Sequence, residues 1–221
     1  MKRLIITIDG PAGTGKSTAA RLLALRLELP FLDTGAMYRA VAWRCLQNRI
    51  SFDNEPQVVN QAQQIQFEFS GNRLLIDGND PGNELRSDDV SQTASVIATL
   101  PAVREVLVDQ QRKLAGEYSL VSEGRDQGTV VFPQAECKFF LTASAEVRAE
   151  RRWNDLREEN LTLSKEMILE EIQQRDERDQ NRKAAPLKPA EDAIIIDNSK
   201  KTREEVVNLL VEYVQRATGN S

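Results

Sequence analysis

The chain has 221 residues, of which 40% are hydrophobic and 29% charged, and a chain of this length buries roughly 70% of its unfolded surface as one domain. It contains no histidine, which excludes Ser-His and Cys-His catalytic pairs and imidazole zinc sites. The net charge of −5 disfavours binding to a nucleic-acid polymer. The sequence has neither a long apolar run nor a signal-peptide pattern, so we expect a cytoplasmic protein. In that compartment the two cysteines, Cys45 and Cys137, are expected to be reduced thiols.

The first predicted strand, residues 4–8, leads directly into the sequence Gly-Pro-Ala-Gly-Thr-Gly-Lys-Ser at residues 10–17. This is a full match to the phosphate-binding loop Gly-x-x-x-x-Gly-Lys-[Ser/Thr], and a helical pattern follows it, so a chance glycine-rich turn is a poor alternative. Backbone N–H groups of such a loop form an anion nest at a helix N-terminus, Lys16 adds a charge for the β- and γ-phosphates, and Ser17 offers a hydroxyl to Mg²⁺. The residues expected to bind a nucleoside triphosphate are Gly10, Pro11, Ala12, Gly13, Thr14, Gly15, Lys16, Ser17 and Thr18.

Alternating strands and helices continue along the chain. Apolar runs predict buried strands at residues 4–8, 30–32, 119–122, 138–141 and 193–196. Helical patterns lie at residues 20–27, 37–47, 103–114, 145–157, 165–182 and 204–216. Because no strand alternates cleanly between polar and apolar residues, we predict an α/β protein with the P-loop NTPase fold, a five-stranded parallel sheet with helices on both faces.

One stretch interrupts this alternation. Residues 65–70 and 73–76 flank Gly71-Asn72, which is a hairpin signal. We predict a small antiparallel insertion at about residues 50–85 within a single domain whose core is formed by residues 1–49, 86–147 and 183–221. An irregular surface loop is the alternative for the insertion.

Polar residues follow the second and third predicted strands, at residues 33–39 and 123–129. In open α/β sheets ligands bind beyond the carboxyl ends of the strands, so Arg125 and Asp126 are expected to face one cleft. A helix cap is the alternative interpretation for any single residue here, as it is for Asp33 or Thr34.

Arginines crowd the C-terminal third of this acidic chain. Arg148, Arg151 and Arg152 have the i, i+3, i+4 spacing of one helix face. A second group, Arg175, Arg178 and Arg182, shares a face of the next helix, with Asp179 one turn from Arg175. Bidentate arginines suit phosphate oxygens, although a solvated charged face is an alternative. The phosphate-binding loop favours a small anionic ligand.

Together these segments resemble the bacterial-type cytidylate kinases over the whole chain. The resemblance is carried by residues 8–18, by 32–39 (Leu-Asp-Thr-Gly-Ala-Met-Tyr-Arg), by Glu-Gly-Arg-Asp at 123–126 with Val-Val-Phe-Pro at 130–133, and by 175–187. The extended insertion also resembles the one that sets this family apart from other nucleoside monophosphate kinases. The chain departs from the family pattern at Gln127 and Glu123, where we expect effects on local packing alone.

The resemblance implies transfer of the γ-phosphate of ATP, with Mg²⁺, to CMP or dCMP. It implies that residues 148–160 form a mobile lid whose Arg151 or Arg152 reaches the transferring phosphate, and that catalysis uses Lys16, Arg151, Arg152, Arg125 and Arg182. Implied contacts to CMP come from the monophosphate-site residues Thr34, Tyr38 and Arg39, from Ser95, Arg104 and Asp126 at the cytosine edge, from Arg125 and Arg182 at the acceptor phosphate, and from Arg175 and Asp179 at the ribose. The expected partners are ATP and CMP or dCMP, without nucleic acid or membrane, and the expected state is a monomer.

Three other functions are compatible with the phosphate-binding loop. Another small kinase acting on AMP, UMP, shikimate or a similar metabolite is the nearest, but the long insertion and the Arg125-Asp126 segment argue against it. A nucleotide-dependent switch or ATPase usually has a Mg²⁺-binding Asp at the end of an apolar strand, whereas here the third strand ends in Ser122-Glu123. A nucleotide-binding module without turnover would leave the arginine-rich lid without a purpose.

Overall fold

The computed structural model of the protein describes residues 3–80, 82–158 and 164–219. In these ranges seven strands and eight α-helices follow one another along the chain. They are β1 (Ile5–Asp9), α1 (Lys16–Arg26), β2 (Phe31–Asp33), α2 (Thr34–Gln47), α3 (Glu55–Gln64), β3 (Phe67–Ser70), β4 (Arg73–Ile76), α4 (Asp88–Ile97), α5 (Pro101–Glu117), β5 (Leu120–Gly124), β6 (Cys137–Thr142), α6 (Ala145–Glu158), α7 (Lys165–Asn181), β7 (Ile194–Asp197) and α8 (Arg203–Thr218).

Five of the strands form one parallel sheet in the order β2-β5-β1-β6-β7. Leu120 and Val121 are neighbours in β5, yet they belong to different buried clusters on opposite faces of the sheet. The central strands are therefore covered on both sides, which explains why their sequences are continuously apolar. The predicted five-stranded parallel sheet with helices on both faces is confirmed.

Each face of the sheet has its own core. On one face α1 and α8 bury Leu23 and Leu210 against Ile6 and Phe139. The other face is covered by α2 and α5. A capping box begins α8: Thr202 accepts a hydrogen bond from the Glu205 N–H, and the Glu205 carboxylate accepts one from the Thr202 N–H. These two bonds satisfy backbone donors at the first turn of the helix.

The insertion contains the predicted hairpin, since β3 and β4 pair antiparallel from Phe67 opposite Ile76 to Ser70 opposite Arg73. An irregular loop is thus excluded there. The expectation of a purely antiparallel insertion is incomplete, however, because α3 precedes the hairpin. This helix is rich in glutamine, and its buried residues are Val58 and Ala62, a single i, i+4 pair that gives little sequence signal.

A second helix without a sequence prediction, α4, lies next to α2. Its signals are present in the chain: Ser87 caps it by accepting a hydrogen bond from the Val90 N–H, and its buried residues recur at helical spacing. Those buried residues are Val90, Thr93, Ala94 and Ile97. The helix carries Ser95, one of the residues expected at the monophosphate site.

The segment predicted as a lid belongs to a helix pair. Ala149 and Leu156 of α6 pack against Ile168 and Ile172 of α7 in a small cluster separate from the two cores of the sheet. Residues 159 and 160 of the predicted lid lie outside the described residues. In the described ranges, no helix has the length and apolar character required to cross a membrane.

Candidate active site

Three strand ends meet at one edge of the sheet. Asp9 at the end of β1 is level with Gly124 of β5, and Asp33 at the end of β2 is level with Glu123. Parallel pairing therefore gathers the phosphate-binding loop, the start of α2 and the Arg125 loop at the same edge, as expected for this sheet type.

The phosphate-binding loop has a backbone that depends on its glycines. Gly13 and Gly15 adopt φ values of 76° and 80°, and a Cβ atom at Gly10 would lie 2.1 Å from the Leu141 carbonyl oxygen. The Lys16 Nζ donates to the Pro11 carbonyl at 3.2 Å, so the lysine is curled over its own loop. Since α1 begins at Lys16, the loop presents the positive end of a helix.

Two cavities adjoin this loop from different sides. The arginine-rich cavity, of about 240 Å³, lies between the loop, α2, α4 and α7, and the α6–α8 cavity, of about 560 Å³, lies between the loop and those two helices. Gly13, Lys16 and Ser17 line both of them. The loop is therefore a shared wall, with the Lys16 ammonium and the Ser17 hydroxyl where the two cavities meet.

The predicted site residues are distributed between these cavities. Every residue implied to bind the monophosphate lines the arginine-rich cavity: Thr34, Tyr38, Arg39, Ser95, Arg104, Arg125, Asp126, Arg175, Asp179 and Arg182. The α6–α8 cavity is lined by residues 13–18 and Arg151. Ala12 faces the arginine-rich cavity, whereas Gly10 and Pro11 line neither and instead shape the loop.

A buried ion pair lies deep in the arginine-rich cavity. The Arg104 guanidinium bonds the Asp126 carboxylate, and its Nη1 also donates to Tyr38 Oη and to the Ala98 carbonyl, each at 3.3 Å. Arg104 and Asp126 are each 5% exposed. Burial raises the pKa of Tyr38 to about 12, so its hydroxyl stays neutral and able to donate. The group combines hydrogen-bond donors with a carboxylate acceptor, which suits the edge of a base.

On the side of the arginine-rich cavity next to the phosphate-binding loop lie three cationic side chains, Lys16, Arg125 and Arg175. Burial and the nearby Arg125 lower the pKa of Lys16 to about 8, and the same two causes lower the pKa of Arg175 to about 10. Arg125 Nε donates to Asp179 at 2.9 Å and Glu123 lies 3.8 Å from Lys16, so two carboxylates offset part of this charge. Buried cations that depress one another's pKa favour a bound anion, because the anion lowers the cost of keeping them charged.

The three arginines of α6 do not share one anion-facing surface, contrary to the sequence expectation. Arg148 is buried beneath the loop, and Arg151 bonds Asn198 at the edge of the α6–α8 cavity. Arg152 pairs with Asp88 of α4 at 3.2 Å, is 40% exposed and lines neither cavity. Of the two arginines expected at the transferring phosphate, Arg151 lines a cavity together with residues 13–18, whereas Arg152 does not.

Glu123 lines the arginine-rich cavity, although from the sequence we expected it to affect packing alone. Ser17 Oγ donates to Glu123 Oε1 at 3.0 Å, while Oε2 lies 3.8 Å from Lys16 Nζ and has no hydrogen-bond partner among the described residues. Burial raises the pKa of this carboxyl, and Lys16 partly opposes the effect. The expectation that Glu123 affects only local packing is therefore wrong. Its position at the end of a central strand was the available signal.

Asp9 fastens the loop that carries Arg125 and Asp126. Its carboxylate accepts from the Gln127 N–H at 2.9 Å and from the Gly128 N–H at 2.8 Å. The side chain of Gln127 accepts from Ser122 Oγ at 2.7 Å, so this buried amide is satisfied. Burial raises the pKa of Asp9 to about 7 against the effect of the two N–H groups.

Comparison with known proteins agrees with this geometry. The family model for cytidylate kinase matches residues 6–216. A cytidylate kinase of Caldanaerobacter subterraneus subsp. tengcongensis is 46% identical over 213 residues, covering 96% of this chain and 95% of that protein. One of Vibrio cholerae is 42% identical, covering 96% of each chain, and one of Clostridioides difficile is 42% identical, covering 97% and 99%.

Among solved structures, a protein from Eubacterium ventriosum superposes with a TM-score of 0.55 at 13% identity, covering 97% of this chain and 99% of the other. That similarity concerns the fold alone. The family match over nearly the whole chain and the extent of identity to the three curated relatives confirm the resemblance in the sequence motifs. This chain belongs to the cytidylate kinase family.

Proposed function

We propose that this protein phosphorylates CMP and dCMP with ATP, yielding CDP and dCDP by in-line phosphoryl transfer. One observation carries the proposal: two cavities meet at Lys16 and Ser17, and each has the chemistry of one substrate. A phosphoryl group held at that junction has a donor on one side and an acceptor on the other. The names of the relatives support the same reaction.

The larger α6–α8 cavity is proposed to hold ATP. It has more than twice the volume of the other cavity, about 560 Å³ against about 240 Å³, and the N-terminus of α1 opens into it. A triphosphate needs both the space and the N–H groups of that helix end. Arg151 lines this cavity and would reach the transferring group from the donor side.

The arginine-rich cavity is proposed to hold the monophosphate. Arg125, Arg175 and Arg182 supply guanidinium groups for the acceptor phosphate and ribose, while the Arg104–Asp126 pair and Ser95 supply hydrogen-bonding groups for cytosine. Pairing between Arg104 and Asp126 in this structure keeps both groups satisfied. A base that did not complement them would leave buried polar groups unpaired, which is the strongest basis for discrimination.

The chemistry requires positioning and charge stabilisation rather than a strong base. The acceptor is itself a phosphate, so no proton has to be removed from a weakly acidic group. Lys16, Arg151 and Arg125 would meet the charge on the moving phosphoryl oxygens. Each preorganised donor of this kind is worth roughly a hundred- to thousandfold in rate.

Mg²⁺ is proposed to bind with ATP at Ser17 and Glu123. The fit rests on the donor set: a hydroxyl and a carboxylate lie within 3.0 Å of each other, and one carboxylate oxygen is buried without a hydrogen-bond partner among the described residues. Oxygen ligands of this type suit a hard cation. Bound there, Mg²⁺ would neutralise charge on the phosphate oxygens.

An acceptor panel tests the proposed function. With ATP and Mg²⁺ held constant, ADP formation is measured with CMP, dCMP, UMP, AMP and shikimate. We expect the highest kcat/KM with CMP or dCMP. Equal or faster reaction with AMP or shikimate would overturn the assignment of cytidine as the acceptor.

Two variants serve as controls in the same assay. Lys16→Ala should abolish most turnover with every acceptor, because it removes a donor common to all of them. Asp126→Asn keeps the shape of the side chain and should reduce kcat/KM for CMP far more than the affinity for ATP. Equal losses on both substrates would show that Asp126 is structural.

A further inference from the structure

The proposed reaction assigns no role to Arg148. This arginine is nevertheless buried, with 4% of its surface exposed, and its guanidinium makes three hydrogen bonds. Its Nε donates to the Ala143 carbonyl at 3.0 Å, its Nη1 to the Ala12 carbonyl at 3.0 Å, and its Nη2 to Asp176 Oδ2 at 2.6 Å. One planar guanidinium thus joins the C-terminal side of β6, the phosphate-binding loop and α7.

The contact with the loop is steric as well as polar. A Cβ atom built on Gly13 would lie 3.2 Å from Arg148 Cβ, which is tighter than an ordinary contact. The loop therefore rests directly on α6 at this residue. A shift of α6 relative to the sheet displaces the Ala12–Gly13 backbone, whose neighbouring residues line the α6–α8 cavity.

The contact with α7 leads to the other cavity. Asp176 is adjacent to Arg175 and one turn before Asp179, and both of those residues line the arginine-rich cavity. Asp179 in turn holds Arg125 at 2.9 Å. The helices α6 and α7 share a small core of their own, and Arg148 joins this pair to the phosphate-binding loop through the Ala12 carbonyl.

We propose that Arg148 is a positioning residue that couples the ATP cavity to the CMP cavity, so that occupancy of one raises the affinity of the other. The coupling runs from the Ala12 carbonyl through Arg148 to Asp176 and the acceptor-site residues of α7. It rests on the proposed function, since it requires both nucleotides to bind. Coupling of this kind is reciprocal in the binding free energies.

The test is calorimetric titration of the whole protein with CMP, in the absence and presence of Mg²⁺ and the β,γ-imido analogue of ATP. In the unmodified protein the analogue should strengthen CMP binding by roughly fivefold or more, and in Arg148→Lys this ratio should fall to within about twofold of one. Lysine keeps the charge but cannot span the three acceptors. Arg178→Lys is the control: this arginine of α7 is exposed and, unlike Arg175 and Arg182, lines neither cavity, so the variant should retain the full ratio.

A merely structural arginine would give a different pattern. Arg148→Lys would then lower the melting temperature while leaving the affinity ratio intact, and that result overturns the proposal, as would a ratio of one in the unmodified protein. If Arg148→Lys does not fold, Asp176→Asn carries the test, because it weakens only the link to α7 and should lower the ratio as well. Failure of the unmodified protein to bind CMP at all would instead refute the proposed function, and the coupling with it.

Discussion

At the scale of single residues, two buried carboxylates at the carboxyl edge of the sheet have different tasks. Glu123 contacts Ser17 and Lys16 of the phosphate-binding loop, whereas Asp9 accepts hydrogen bonds from the backbone of the Arg125 loop. Both have raised pKa values because of burial. Their neighbours give them different roles. Glu123 Oε2 has no hydrogen-bond partner among the described residues, which suits a cation, whereas the two N–H bonds to Asp9 suit a loop anchor.

Glu123→Gln should raise the Mg²⁺ concentration that gives half-maximal activity. The amide can still accept the Ser17 hydroxyl, but it lacks the charge, and changes of this kind near a metal typically cost roughly 10- to 100-fold in metal affinity or activity. The measurement is kcat against Mg²⁺ concentration at saturating ATP and CMP. Glu117→Gln at the exposed end of α5 is the control, and an unchanged Mg²⁺ requirement in Glu123→Gln would contradict the assignment.

Asp9→Asn tests the loop anchor through the pH dependence of stability. The pKa of Asp9 is about 7 in the folded protein against an ordinary value of 3.8, so the folded state binds more protons between these values. Its contribution to stability is therefore complete below about pH 4 and is lost as the pH rises to about 7. Relative to the Asn variant, the free energy of unfolding of the native protein should fall by about 4 kcal/mol across that range.

Urea denaturation at several pH values measures this difference. Asp197→Asn is a control of opposite sign, because hydrogen bonds from Ser199 lower the pKa of that exposed carboxyl and its contribution is lost as the pH falls. Parallel curves for the native protein and Asp9→Asn would show that the Asp9 carboxyl titrates normally.

At the scale of elements, the α6–α7 pair is an independently packed unit. Its cluster of Ala149, Leu156, Ile168 and Ile172 is separate from the cores on either face of the sheet. Units with few contacts to the rest of a protein open at lower free energy than its core. This gives a physical basis for movement of the predicted lid, although its range stays a prediction.

Ile168→Ala should loosen this pair without unfolding the sheet. Truncating a fully buried isoleucine costs about 2–5 kcal/mol, and here the loss falls on a small cluster. Amide hydrogen exchange should accelerate in α6 and α7 and stay unchanged in β1. Leu210→Ala in α8, which packs on the sheet, should instead accelerate exchange throughout, and equal exchange patterns in the two variants would show that the pair is not a separate unit.

At the scale of the whole molecule, the proposed site consists of two cavities that meet at the phosphate-binding loop. Residues from β5 and from seven helices line them, namely α1, α2, α4, α5, α6, α7 and α8, so no single element forms the site. The phosphate-binding loop is the only segment of the described residues that lines both cavities. Transfer to the correct acceptor thus depends on both halves being filled.

Hydrolysis of ATP without CMP should therefore be slow. In the proposed reaction the acceptor phosphate would help to position the arginines that stabilise the transferring group, and losing one such contact lowers a rate roughly a hundredfold or more. Phosphate release with and without CMP measures the effect, with Lys16→Ala as the background. Rapid hydrolysis that CMP does not stimulate would favour an ATPase or switch instead.

The sequence by itself determined the fold class and the phosphate-binding loop. These follow from local rules: glycines where φ is positive, and apolar runs where a strand is covered on both sides. The ten residues expected to contact the monophosphate came from the resemblance to cytidylate kinases; they lie in five separate segments and all line one cavity, while their roles stay predictions. The monomeric state stays a prediction.

Only the tertiary structure decided which environment each of several identical side chains occupies. Arg148, Arg151 and Arg152 have helical spacing in the sequence, yet one is buried under the loop, one lines the α6–α8 cavity and one pairs with α4. From the sequence, Glu123 was expected to affect only local packing. In the fold it lies at the end of β5 and accepts a hydrogen bond from Ser17. The physical reason is that a guanidinium or a carboxylate acquires its role from burial and from partners distant in the chain, which spacing along one segment cannot specify.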